Sequence, residues 1–215
     1  MDWEVGLETK FAKIRRISGE VFSQLLNVPI LSGLLAVWFY LRLPVSEPSR
    51  MAGFIWSLVF LTVAPALSYF FYIPFKKDSH GKTLHRQRVA SFVMMIISYP
   101  AGWLVLAKIH APLIFTATLE IYTFVTLGLI LFNLILHYKA SGHAAGVSGP
   151  VASLIFLYGL AATPLFLLLP LVIWARVAAK GHNVWQTVVG GVLSMLIAVA
   201  VLWGYGFHPF SGILW

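Results

Sequence analysis

Cysteine is absent from this chain of 215 residues, and charged residues are scarce. The absence of cysteine excludes disulfides, thiolate metal ligands and a cysteine nucleophile. Only 10% of the residues are charged, against about 25% in soluble globular domains, whereas 60% are hydrophobic. Such a chain has too few charges to cover a surface that faces water. The composition therefore predicts an integral membrane protein.

Acidic residues are also few: there are 7, against 15 Lys and Arg residues, and the net charge is +8. No His-Glu-x-x-His spacing is present, so no known metal motif is recognised. No basic run is interleaved with aromatic residues in a polar segment, which argues against nucleic acid as a partner. In a membrane protein, such an excess of positive charge is typical of cytoplasmic loops that meet anionic lipids.

Long uncharged runs divide the chain into predicted transmembrane helices, each close to the roughly 20 residues that a span requires. These spans are expected at about 21–41, 51–75, 89–107, 113–136 and 184–205. The run 144–175 is also uncharged, but as one helix it would be roughly 48 Å long, against a hydrocarbon core of about 30 Å. Pro and Gly residues interrupt it. We therefore expect two short or bent helices that turn near 159–163.

The predicted fold is all-α: a polytopic transmembrane helical bundle of six or seven spans that forms a single domain over residues 1–215. Residues 1–20 carry mixed charges and repeat apolar side chains at helical spacing, from Leu7 to Ile17. This pattern predicts an amphipathic helix that lies along the lipid headgroups. Pro29 and Pro100 are expected to kink the first and third spans.

Two short polar segments interrupt the apolar second half of the chain. The first island is His137–Gly146 and the second island is Trp174–Gln186. If two helices separate them, both islands fall on the same side of the membrane as residues 1–20 and the loop 76–88. Twelve of the 15 Lys and Arg residues lie on that side. The positive-inside rule then predicts that the islands face the cytoplasm, in a multi-pass plasma or inner membrane.

The islands contain the groups that phosphoryl transfer to water requires: oxyanion-binding groups, a nucleophile and a proton donor. Ser141 is placed to cap a helix, and the free N–H groups of a helix start bind anions. Gly142 allows the backbone to approach a ligand closely. The remaining groups are two cations, Lys139 and Arg176, and two candidate imidazoles, His143 and His182.

These residues resemble the membrane type 2 phosphatidic acid phosphatase superfamily, which also contains the vanadium haloperoxidases. Ala140-Ser141-Gly142-His143 is similar to its Pro-Ser-Gly-His motif. Ala175-Arg176, five residues, His182, three residues and Gln186 are similar to its Ser-Arg, His and Asp motif. The resemblance extends from about residue 139 to residue 191.

The resemblance implies a lipid phosphatase that needs no metal or other cofactor and acts among membrane lipids. His182 would attack phosphorus and form a phosphohistidine, and His143 would protonate the leaving alcohol. Arg176, Ser141 and the Gly142 amide would hold phosphate oxygens. The substrate would be a polyprenyl phosphate or diphosphate, or a phosphatidate-type lipid.

One departure from the family concerns Gln186, which replaces the Asp that orients the nucleophilic imidazole. A Gln carbonyl accepts the same hydrogen bond but carries no charge, and in a serine protease the Asp-to-Asn change lowers turnover by about 10⁴. Three explanations remain open: this variant works differently, Asp78 supplies the charge, or catalysis is weak.

The second departure is the family's first motif, Lys with Arg-Pro seven and eight residues later. Lys82 and Arg88 have the wrong spacing by one, and Val89 replaces Pro. Lys139 is therefore the preferred phosphate ligand, and Arg86 or Arg88 would contact the headgroup.

A different class of function also fits the sequence. The chain could be a non-catalytic subunit of a membrane complex that keeps the family fold and binds anionic lipid, and Gln186, Ala140 and the degraded first motif favour that alternative. His143 and His182 would then be ordinary histidines at helix ends. The sequence does not decide between a homo-oligomer and a larger membrane complex.

Overall fold

The computed structural model describes residues 2–68 and 82–209, with side chains for 10–68 and 89–209, and all regular secondary structure in these ranges is helical. Five helices are long and apolar enough to cross a membrane, or six if the bent N-terminal pair counts as one span. The all-α class and the apolar spans expected from composition are therefore confirmed. Of the predicted loop 76–88, residues 76–81 lie outside the described residues, whereas the backbone of 82–88 is helical and forms the start of α5, so the loop prediction was wrong there.

The helices from α3 onward follow the predicted spans, whereas the first predicted span is divided between two helices. They are α1 (Asp2–Leu25), α2 (Val28–Arg42), α3 (Arg50–Leu58), α4 (Ala64–Leu67), α5 (Lys82–Lys108), α6 (Leu113–Ile130), α7 (Gly142–Tyr158), α8 (Leu168–Ala178) and α9 (Val184–Gly204). A π-helical turn, Val59–Val63, joins α3 to α4, and a second, Leu131–Ile135, extends α6. A 3-10 helix, Gly159–Leu167, joins α7 to α8.

The first predicted span is interrupted between α1 and α2, which meet at a bend of 41°. Asn27 caps α2, with its side-chain oxygen accepting from the Val28 N–H at 2.8 Å, and Pro29 lies in the first turn. Proline is tolerated there because the first N–H groups of a helix have no partner within the helix. The kink expected at Pro29 is therefore a complete break, and it begins just before the proline.

The run 144–175 folds back on itself, as expected from its length. Gly159 ends α7 with φ 63° and ψ −136°, a backbone conformation that favours glycine. After the 3-10 helix, α8 returns and packs against α7. His143 near the start of α7 and Arg176 near the end of α8 consequently line one cavity, although a straight helix would separate them by roughly 50 Å.

Small residues bring the helices of the second half into close contact. A Cβ on Gly190 would lie 2.4 Å from the Ser141 carbonyl oxygen, and a Cβ on Gly191 would lie 2.8 Å from the Ser148 hydroxyl. Gly19 of α1 packs in the same way on α8, beside Ala178. Small residues at such crossings let helix backbones approach, which is how helices gain packing energy inside a membrane. The pair at 190–191 thus serves helix packing.

The bundle has two chemically different ends. Helices α2, α5 and α6 each run from the cavity described below to the opposite end, where the three remaining cations lie. There Arg42 lies over the Trp38 ring at 4.8 Å and Arg50 lies over the Tyr40 ring at 4.1 Å. Both islands are at the cavity end. Among the described residues, Arg42, Arg50 and Lys108 therefore lie at the end opposite the islands.

Candidate functional site

The first island positions the start of α7. Ser141 is fully buried, and its Oγ accepts the Ala144 N–H at 3.4 Å, which confirms the predicted N-cap. The Ser141 N–H donates to the Gln186 carbonyl oxygen at 2.9 Å. The backbones of the two islands are therefore bonded to each other directly, as their proposed convergence requires.

The second island is a helix terminus whose geometry explains its spacing. At the end of α8 the Lys180 N–H donates to the Val177 carbonyl and the Gly181 N–H donates to the Arg176 carbonyl, both at 3.0 Å. These two bonds, with Lys180 at φ 54°, form a Schellman motif. The His182 N–H also reaches the Arg176 carbonyl, at 3.3 Å. The five residues between Arg176 and His182 are thus the end of α8 and the turn that reverses the chain after it.

The Arg176 guanidinium is held between the N-terminal helix and this turn. Its Nη1 donates to the Ser23 Oγ of α1 at 2.7 Å. On the other side, a Cβ on Gly181 would lie 2.6 Å from Nη2, so a side chain there would displace the guanidinium from its present position. The position of Arg176 therefore depends on α1 and on Gly181 together.

Lys139 connects the two islands through a side chain. Its Nζ donates to the Gly181 carbonyl oxygen at 3.1 Å, and the residue is exposed. The second cation therefore lies at the outer edge of the site, against the same turn that carries His182.

One cavity of about 290 Å³ brings most of the predicted site residues together. Its lining at the island end comprises Lys139, Gly142, His143, Arg176 and His182. This volume is close to the lower end of the roughly 300–1,000 Å³ that is typical of small-molecule sites. The islands thus converge on one space of small-molecule size.

The cavity continues between α5 and α6, where its lining is mainly apolar. Along α6 its lining residues recur at helical spacing from Tyr122 to Asn133, and along α5 from Ser91 to Tyr99. Asn133 lies in the π-helical extension of α6, and its Nδ2 donates to the carbonyl oxygens of Leu129 and Ala140. The cavity is therefore elongated, with cations at one end and two tyrosines at the other.

Two of the predicted site residues lie outside this lining. Ser141 is committed to capping α7. The Gln186 Oε1 accepts the Asn183 N–H at 3.2 Å, while the Asn183 Oδ1 accepts the Gln186 N–H at 2.8 Å, a capping box at the start of α9. The Gln186 side chain therefore serves the helix end.

Several other residues named from the sequence lie outside the cavity lining or outside the described side chains. The backbone of Arg86 and Arg88 lies in α5, but their side chains are outside the described residues, and Asp78 is outside them entirely. Glu120 borders a separate groove together with Tyr205. Among the described residues that line the cavity there is no carboxylate.

Sequence reasoning missed the contribution of α1 and of the tyrosines. Ser23 holds Arg176, and Gln24 and Asn27 line the cavity. The available signal was three polar residues within five positions of an otherwise apolar run. Tyr99 and Tyr122 gave no such signal, because aromatic residues are abundant in every predicted span.

Chemically, the island end combines two cations, the start of a helix and two imidazoles around one space. Cations without carboxylates give that space a positive potential, and the N-terminus of α7 adds a partial positive charge. This arrangement can bind an oxyanion and can supply both a nucleophile and a proton donor. No family model, curated protein or solved structure matches the chain.

Proposed function

We propose that this protein is a metal-independent membrane lipid phosphatase that hydrolyses a phosphomonoester or diphosphate through a phosphohistidine. The substrate is a polyprenyl or phosphatidate-type lipid phosphate, as the resemblance to the type 2 phosphatidic acid phosphatase superfamily implies. The observation that carries the proposal is the single cavity lined by His143, Arg176 and His182. His143 lies in the first turn of α7, Arg176 in the last turn of α8 and His182 in the turn that follows α8, so two segments of chain meet to form it.

In the first step, a ring nitrogen of His182 attacks phosphorus and the phosphorus–oxygen bond to the lipid breaks. His143, as an imidazolium, gives its proton to the leaving oxygen, so a phosphomonoester releases a neutral alcohol and a diphosphate releases the lipid monophosphate. Arg176 and Lys139 offset the charge of the phosphate oxygens, and the Gly142 amide donates to one of them. The product is a phosphohistidine at His182.

In the second step, water replaces the lipid alcohol in the site. His143, now neutral, takes a proton from that water as its oxygen attacks phosphorus, and the nitrogen–phosphorus bond breaks. Inorganic phosphate leaves, and both imidazoles return to their initial protonation states. Cations and helix N–H groups fixed before the reaction stabilise both transition states without reorganisation.

The membrane arrangement that suits this chemistry has the islands at the cytoplasmic face of a plasma or inner membrane. Twelve of the 15 Lys and Arg residues support this orientation. Five helices, or six with the bent pair α1–α2 counted as one span, are long and apolar enough to cross. A seventh crossing requires Gly159–Leu167 and α8 together to cross separately from α7. Residues 10–17 of α1 are exposed and carry four cations, which suits an amphipathic segment among anionic headgroups.

The test is phosphate release by the purified protein from a panel of lipid phosphates in micelles, with and without chelator. The proposal expects release that chelator does not affect and that His182→Ala lowers by on the order of 10⁴-fold or more. A labelled, acid-labile phosphoenzyme should form in the parent protein and be absent from His182→Ala. Release that is unchanged in His182→Ala would refute this mechanism.

A second candidate is a non-catalytic subunit of a membrane complex that binds anionic lipid at the same cavity. The observation that favours it is the use of Gln186 in the capping box, together with the absence of a carboxylate from the described lining. This alternative expects lipid phosphates to bind without turnover. Binding that depends on Arg176, with no phosphate released from any lipid, would support it over the enzyme.

A further inference from the structure

The inner end of the cavity contains two buried tyrosines, Tyr99 of α5 and Tyr122 of α6. They are 1% and 5% exposed, and their ring centroids are 5.4 Å apart. Neither hydroxyl has a hydrogen-bond partner among the described residues. Both residues line the cavity whose other end holds the cations. Two hydroxyls are thus concentrated where the surrounding lining is apolar.

A hydroxyl buried in an apolar environment without a hydrogen bond destabilises the folded protein. Phenylalanine would fill the same volume here without that cost. The neighbouring Thr126, by contrast, satisfies its hydroxyl on the Tyr122 carbonyl oxygen at 2.8 Å. Hydroxyls without a partner that are packed against the inner end of a cavity can recognise a polar atom on a ligand once a small side-chain movement exposes them to it.

The separation between the two ends of the cavity follows from α6. A Cβ on Gly142 would lie 3.7 Å from Leu129, so the start of α7 is level with that residue. Tyr122 precedes Leu129 by two helical turns, which is roughly 10 Å along the axis. The phosphate end and the tyrosines are therefore separated by about the length of a glycerol unit with its ester linkage.

We propose that Tyr99 and Tyr122 form a subsite for an oxygen atom on the lipid, a hydroxyl or an ester carbonyl roughly 10 Å from phosphorus. This inference rests on the proposed lipid phosphatase and selects among its substrates. It favours phosphate esters of glycerol-type or other oxygen-bearing lipids over prenyl phosphates, whose chains are hydrocarbon throughout. A prenyl chain would leave both hydroxyls without a partner.

The test compares two phosphomonoesters with the same 18-carbon chain: oleoyl lysophosphatidate, which has an ester and a hydroxyl, and oleyl phosphate, which has neither. Phosphate release is measured for the parent protein, Tyr99→Phe, Tyr122→Phe and the double variant. Tyr158→Phe is the matched control, because it removes a tyrosine hydroxyl that lies outside the cavity, beside the Trp38 ring. Apparent melting temperatures verify that each variant folds.

The subsite predicts that the parent prefers lysophosphatidate in kcat/KM by at least about tenfold, the effect of two neutral hydrogen bonds. Each single Phe variant should lower kcat/KM for lysophosphatidate by about fivefold and leave oleyl phosphate unchanged, while Tyr158→Phe alters neither. Equal turnover of the two lipids by the parent, or equal losses on both lipids in the Phe variants, would overturn the subsite and leave the phosphatase intact.

Failure of the phosphatase itself has a different signature, which is no release from either lipid. In that case the subsite is tested by binding alone: native mass spectrometry measures how much of each lipid the His182→Ala variant retains. Retention of lysophosphatidate over oleyl phosphate that disappears when Tyr99→Phe and Tyr122→Phe are added would support it. Equal retention of both lipids would overturn it.

Discussion

The Nη1 of Arg176 donates to the Oγ of Ser23 at 2.7 Å, a contact between residues 153 positions apart in the chain. Ser23 is buried, and the helix that carries it packs through Gly19 onto the last turn of α8. The N-terminal helix, whose charged first part suggested only a surface segment, therefore fixes the guanidinium of the proposed site.

Ser23→Ala should lower kcat/KM by about tenfold, because the Arg176 guanidinium loses a hydrogen bond that orients it. The measurement is lipid-phosphate turnover in a double-mutant cycle with Arg176→Ala. If Ser23 acts through Arg176, Ser23→Ala should have no further effect once Arg176 is absent. Losses that simply add would show that Ser23 affects activity by another route.

Gly181→Ala should misplace the same guanidinium from its other side. The new Cβ would lie 2.6 Å from Nη2 and 3.0 Å from Cζ, so the flexible end of the arginine must move. A displacement of about 1 Å at a reacting centre can lower turnover on the order of 10²-fold. The apparent melting temperature should change little, since the backbone can accept alanine here. Unchanged turnover would show that Arg176 does not need this position.

Gly190→Ala should destabilise the protein, because its Cβ would meet the Ser141 backbone at 2.4 Å and force α9 away from the start of α7. Overpacking of this kind costs about 1–3 kcal/mol. The matched control is Gly204→Ala in the same helix, where nothing lies within 4 Å of the new Cβ. That change should stabilise the helix slightly, by less than about 0.5 kcal/mol, because Gly204 is the last residue of α9. The measurement is thermal unfolding in micelles. Apparent melting temperatures that shift in the same direction in both variants would contradict the packing explanation.

Sequence patterns predicted the helices well because the membrane imposes a simple rule on them. Uncharged runs of one span's length became helices, and the over-long run 144–175 turned back at Gly159. Residues of the two islands also came together as expected: Lys139, His143 and His182 line one cavity. Spacing was informative there because Arg-x5-His is the length of a helix terminus that reverses the chain.

What the sequence could not predict depends on contacts between distant segments. The break at Asn27 follows from a cap and a proline acting together, whereas a proline alone indicated only a kink. The partnership of Ser23 with Arg176 has no local signature. Gln186 was interpreted by analogy with a family position, while its actual bonds are to Asn183 in the adjacent turn.

Gln186→Ala should affect stability more than catalysis, because the side chain closes the capping box of α9. Loss of the box costs roughly 0.5–1 kcal/mol, and turnover should stay within about threefold. Asn183→Ala breaks the same box from its other side and should produce the same small shift in apparent melting temperature. A loss of turnover near 10³–10⁴ in Gln186→Ala, but not in Asn183→Ala, would mean that Gln186 orients the His182 imidazole.

His143→Ala should discriminate between leaving groups. An alkoxide leaving from a lipid needs a proton in the transition state, so removal of the general acid should lower turnover of lipid phosphates by about 10²–10⁴-fold. An aryl phosphate with an acidic phenol needs no such proton, so formation of the phosphohistidine from it should be nearly unaffected in single-turnover measurements.

His182→Ala is the control for that comparison, since loss of the nucleophile should abolish phosphoenzyme formation from both kinds of ester. The two variants should therefore differ: the loss in His143→Ala depends on the leaving group, whereas the loss in His182→Ala does not. If His143→Ala slows both esters equally, His143 binds the phosphate or supports the fold, and the proton must come from elsewhere. If His182→Ala still forms phosphoenzyme, the roles of the two imidazoles must be exchanged.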